Sequence, residues 1–241
     1  MENKPCMKIT LTDTKPSIFE SKVGGLGYIP HDKDFPSNST GIQLRLLAQI
    51  ECSEIQLESF VNKGLLQFWV LCDDVYGIDF DNQTNQEGFR VIYYPEVDKT
   101  VTEEEIRSKF VENKEEGYEY SPVSKECGMT FEKSEDRYID YDTIEDDYDE
   151  DADEEEIAND VRWSENAGHK VGGYPYFTQF DPRFDEEQKE KYDFLLFQLD
   201  TDCNGVERVC WGDMGVGNFF ISSEKLKNLD FSDVLYNWDC G

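Results

Sequence analysis

The chain has 241 residues, with 54 Asp and Glu against 23 Lys and Arg and a formal charge of -31. That imbalance argues against direct binding to nucleic acid or an anionic membrane, which both need a concentrated basic surface. No stretch approaches the ~18 consecutive apolar residues of a membrane span. The opening MENKPCMKITLTD lacks the apolar core of a signal peptide, so the expected compartment is the cytoplasm. The length suits one large domain or two small ones, and we expect a single unit over residues 1–241.

In chain order, KVGG at 22–25 comes first, followed by Tyr28 and the run LRLLAQIECSEI at 44–55. GLLQFWVL at 64–71 and FRVIYY at 89–94 crowd β-branched and aromatic residues into short runs, the pattern of strands buried on at least one face. Between these runs, Ser53-x-x-Gln56 predicts a capped helix with Leu57, Phe60 and Val61 on one side and Gly64 as its stop. Thr102-x-x-Glu105 predicts a second, with Ile106 and Phe110 facing the core.

Residues 132–160 hold 16 acids and 2 basic residues, a net of -14, which leaves -17 on the other 212. Such a block repels itself and buries little, so it predicts a solvated acidic insertion. KVGG then returns at 170–173, 148 positions after its first copy, followed by Tyr174, Pro175 and Tyr176. A helix is predicted over Phe184–Tyr192, strands over FLLFQLDTD at 194–202 and GNFFISSE at 217–224, a short turn over Ser223–Leu229, and a last strand over DVLYNW at 233–238. Leu46–Glu51 aligns with Leu195–Asp200, the glutamine and the following acid in register. This order reads as an internal duplication with pseudo-repeats at about 18–98 and 166–240. The predicted fold class is α+β, mainly β: roll-like antiparallel sheets built from two similar halves, with a few short helices.

Seven cysteines, an odd number without CxxC spacing, predict reduced thiols rather than disulfides. The same spacing argues against a zinc site, which needs clustered Cys and His pairs. Gly24-Gly25 and Gly172-Gly173 are expected to supply positive φ rather than an anion cradle. Asp200, Asp202 and Asn204, followed by Gly205, have the spacing of a calcium loop. Trp211 stands where that loop needs a glutamate, Asp213 is the nearest substitute, and Asn-Gly is equally a hairpin signal. Calcium is thus the one cofactor the spacing suggests. Asp146, Asp147, Asp149, Asp151 and Asp153 form the candidate surface for a basic protein partner. His31 and His169 are the only histidines and, with Trp211, make up a candidate pocket. There is no GxSxG or HExxH motif to turn that pocket into a reaction.

GGLGYIPHDKDFP, LRLLAQIECSEI, GLLQFWV, FRVIYYPE, HKVGGYPYFTQFDP, FLLFQLDTD, WGDMGVGNFFI and FSDVLYNWDC, in that order, resemble the YwqG-like family. The resemblance implies a duplicated, mainly β roll found widely in bacterial proteins. It carries over no catalytic residues, and because some members are encoded near toxin systems it extends to a toxin-neutralising role. The first motif departs from the pattern, reading Gly25-Leu26-Gly27 where the second keeps Gly173-Tyr174-Pro175. The expected function is an interaction module for a basic protein. The alternatives are a calcium module on the Asp200–Gly205 loop and an enzyme of unassigned reaction.

Overall fold

The computed structural model describes residues 3–113, 117–139, 164–203 and 205–241. Apolar side chains recur at alternate positions or in fully buried runs, and these residues pair as ten strands. They are β1 (Lys4–Thr12), β2 (Lys22–Val23), β3 (Arg45–Glu51), β4 (Leu65–Val70), β5 (Phe89–Tyr94), β6 (Cys127–Asp136), β7 (His169–Gly172), β8 (Phe194–Asp200), β9 (Val216–Ile221) and β10 (Val234–Asp239). All belong to one antiparallel sheet in the order β10-β9-β8-β7-β1-β6-β2-β3-β4-β5. The mainly β fold class expected from the sequence is what the chain adopts.

The sheet curls into a nearly closed barrel-like form. β4 faces the adjacent β8 and β9 across the interior, with the Phe68 ring 4.7 Å from Phe197 and 4.9 Å from Phe219. The two edge strands also approach, Phe89 on β5 lying 5.1 Å from Tyr236 on β10. The Tyr236 N–H donates to the Gln83 carbonyl at 3.0 Å, so the segment before β5 covers the edge of β10.

The centre of the sheet is the β1–β6 pair, in register from Lys4 opposite Asp136 to Thr12 opposite Gly128. Outward from β6 run β2, β3, β4 and β5; outward from β1 run β7, β8, β9 and β10. Lys22 pairs with Gln49, and Lys170 with Gln198. The register slips once on each side, between Leu46 and Ala48 and between Leu195 and Phe197. The two KVGG copies therefore hold equivalent places in the sheet.

Two sequence expectations need correction. Residues 132–136 are not part of an acidic insertion but the end of β6, where Asp136 is buried. The helix expected from Ser53 is only a short 3-10 turn over Cys52–Glu54. Its capping hydroxyl is diverted, because Ser53 Oγ donates to the Glu51 carboxylate at 2.6 and 2.8 Å. The other helices form as α1 (Glu103–Lys109), α2 (Glu186–Lys191) and α3 (Ser223–Lys227). Thr102 caps α1 by accepting the Glu105 N–H at 3.2 Å.

Candidate functional site

Each KVGG motif buries a lysine. Lys22 is 1% exposed, and its Nζ donates to the Pro16 and Leu26 carbonyls at 3.3 and 3.2 Å and to Glu126 Oε1 at 2.7 Å. Lys170, equally buried, donates to Asp136 Oδ2 at 2.6 Å. A buried ammonium needs such a partner to remain charged. Burial pulls the Lys170 pKa below its ordinary value, and Asp136 offsets part of that effect.

The glycines explain how a carboxylate reaches each lysine. Gly25 and Gly173 have φ of +69° and +77°. A Cβ at Gly25 would collide with the Glu126 carboxylate, and one at Gly173 with that of Asp136.

A glutamine completes each frame. Gln49 Oε1 accepts the Tyr28 N–H at 2.9 Å while its Nε2 donates to the carbonyls of Ile18 and Glu20 at 3.0 and 2.9 Å. Gln198 does the same for the Tyr176 N–H at 2.8 Å, with the Asn166 and Gly168 carbonyls as acceptors at 3.0 and 2.8 Å.

A cavity of about 500 Å³ opens beside Lys22. Its wall combines Lys15, Lys22, Arg45 and Arg107 with Glu103, Glu126 and apolar Ile18, Leu26 and Phe110. Most of these charges are matched: Arg107 pairs with Glu103, which also lies 4.0 Å from Lys15. Arg45 is different. Its guanidinium lies over the Phe110 ring at 4.1 Å, and its Nη1 is buried without a hydrogen-bond partner. Burial lowers its pKa from the ordinary value. The equivalent position in the other half is Phe194, 6.4 Å from Phe60.

The structure places the sequence-predicted site residues as follows. Asp200 Oδ2 accepts the Gly168 N–H at 2.7 Å, and its Oδ1 accepts the Thr201 N–H at 2.8 Å. Asp202 pairs with Arg208 at 3.1 Å. Both aspartates are thus already hydrogen-bonded within the chain. Asp213 is exposed, and Asn204 lies outside the described residues, as do Asp146, Asp147, Asp149, Asp151 and Asp153. His169 is buried, its Nδ1 accepting the Asp200 N–H at 3.0 Å, which leaves the proton on Nε2, 3.5 Å from Asp202 Oδ2. His31 is exposed beside α1, 2.8 Å from Glu105 and 3.1 Å from Thr100 Oγ1. Trp211 is fully buried against Tyr76, Tyr236 and Trp238, so it belongs to the core and is not the lip of a pocket.

Sequence spacing missed one cluster. The ligand atoms of Cys203, Glu207 and Cys210 all lie within 4.8 Å of one another. Cys6, Cys52, Cys72 and Cys127 are buried free thiols, burial pushing Cys6 and Cys72 up to about 11 and Cys52 up to about 12. Among the described residues no helix is long and apolar enough to cross a membrane.

Fold and site together define a mainly β protein with a paired lysine–glutamine frame and a cation-lined cavity. The chain belongs to the family described as Domain of unknown function (DUF1963), which matches residues 21–240. No curated protein matches it.

Proposed function

We propose that this protein is a cytoplasmic interaction module that binds a basic protein, with the toxin-neutralising role that the resemblance to the YwqG-like family implies. The observation that carries this reading is the charge of -31, nearly half of it within residues 132–160. A field of one sign speeds encounter with a partner of the other and discriminates between partners.

The test is capture by the full chain at low and moderate salt, with and without Asp146, Asp147, Asp149, Asp151 and Asp153 changed to Asn. The reading expects a basic protein that is released by salt and bound weakly by the neutralised variant. Binding indifferent to both changes would overturn it.

Arg45 favours a second reading, in which the cavity takes the carboxylate of a small molecule with an apolar body. A guanidinium that lines a cavity and keeps a nitrogen without a partner suits carboxylate binding. A panel of small carboxylates should raise the melting temperature of the native chain and leave that of Arg45→Leu unmoved. No shift in the native chain would end this reading.

A further inference from the structure

We propose that Cys203, Glu207 and Cys210 form a binding site for a thiophilic divalent cation of the zinc class, on the connection between β8 and β9. Their ligand atoms are mutually within 4.8 Å. In a tetrahedral site, bonds of about 2.3 Å to sulfur and 2.0–2.2 Å to oxygen place ligand atoms roughly 3.5–4 Å apart. Closing onto a metal thus asks for a side-chain movement of about 1 Å, and Cys203 and Glu207 are exposed and able to make it.

The backbone beneath the cluster is already fixed. Val209, between Glu207 and Cys210, bridges to both Asp202 and Val123. The Cys210 N–H donates to the Pro122 carbonyl at 2.8 Å, and the Ser124 N–H to the Arg208 carbonyl at 3.0 Å. Ser124 Oγ donates to Glu207 Oε1 at 2.8 Å, which orients the carboxylate and leaves its other oxygen for a metal. An outer hydrogen bond of that kind is what holds a carboxylate ligand in place.

The charge balance points the same way. Arg208 is the cation nearest in sequence, but its guanidinium is turned to Asp13 and Asp202, at 3.2 and 3.1 Å. The loop therefore brings two thiols and a carboxylate together and spends its own cation elsewhere. Two sulfurs and one oxygen select zinc-like ions over calcium or magnesium, which prefer oxygen alone. The calcium-like spacing of this loop thus marks a cation-binding connection whose ligands are thiols rather than Asp200 and Asp202. Three protein ligands leave a fourth position for water or for a group from a partner.

The test uses the reduced full chain, titrated with zinc against a competing chelator and with cobalt for its thiolate charge-transfer absorption. The proposal expects one equivalent bound, at least tenfold weaker binding in Cys203→Ser, Cys210→Ser and Glu207→Gln, and no competition from millimolar calcium. Circular dichroism of each variant checks that the sheet is intact, as substitutions on an exposed connection should leave it. The proposal is overturned if zinc does not bind, if both serine variants bind it undiminished, or if calcium displaces it. A Cys203–Cys210 disulfide that persists under reducing conditions would overturn it as well.

Discussion

The first half of the sheet and the second hang the same polar frame on opposite sides of the β1–β6 pair, and they finish it differently. Lys22 shares its charge among two carbonyls and Glu126, whose side chain is 25% exposed. Lys170 relies on Asp136, 2% exposed, with the Cys6 thiol donating to the second carboxylate oxygen at 3.4 Å. One rung outward, Gln67 accepts the Trp69 indole N–H at 3.0 Å. In the other half Asn218 and Phe220 hold those places, and the Asn218 Oδ1 has no partner. Arg45 borders a cavity where Phe194 packs against an aromatic ring. The difference teaches that the lysine–glutamine frame is scaffold, common to both halves, and that what surrounds it is free to diverge. The first half keeps a cation-lined opening; the second carries the thiol cluster on its β8–β9 connection.

The largest way to disturb the comparison is at the glycines. Gly173→Ala forces a side chain into a left-handed conformation and against the Asp136 carboxylate. Losing one partner of a buried pair costs about 3–5 kcal/mol, so urea denaturation of this variant should show a loss near that size. Gly25→Ala should lose less, because Glu126 can swing toward solvent.

The pH response comes next. The Cys6, Cys52 and Cys72 thiols are raised by burial from an ordinary 9.0 to about 11, about 12 and about 11. In the unfolded chain they ionise first, so the folded state binds more protons above pH 9. Their stabilising effect is complete below that pH and is lost as the pH rises toward 11–12. Urea midpoints measured from pH 8 upward should show that decline begin near 9.

Smaller still is Thr102→Ala, which removes the cap of the helix that walls the cavity and should cost about 1 kcal/mol by the same measurement. Arg45→Phe, which copies the second half into the first, should change stability by less than about 1 kcal/mol. It removes a buried nitrogen that has no partner, and leaving such a group unmade is itself unfavourable.

Much of this was legible in the sequence, and the parts that were not have identifiable reasons. The repeated KVGG and the aligned Gln49 and Gln198 marked equivalent places because both the glycines and the glutamines are required by the same geometry. The carboxylates that serve the lysines could not be read, since Glu126 and Asp136 lie 104 and 34 positions away from them. β6 was hidden because its last residues, Glu132 to Asp136, share the composition of the acidic stretch that follows. Ser53 misled for a local reason, its hydroxyl being drawn to Glu51. Cys203, Glu207 and Cys210 match no metal spacing, and only the bridges of Val209 bring them together.

The most direct test of a shared frame with unequal finishing is urea denaturation of Asp136→Asn beside Glu126→Gln, each keeping shape while removing one charge. The account expects a loss of about 3 kcal/mol or more for Asp136→Asn, since a fully buried ammonium is left without its counter-charge. For Glu126→Gln it expects about 1 kcal/mol, because two carbonyls still hold Lys22 and water reaches the site. Equal losses, or a larger loss at Glu126, would contradict it.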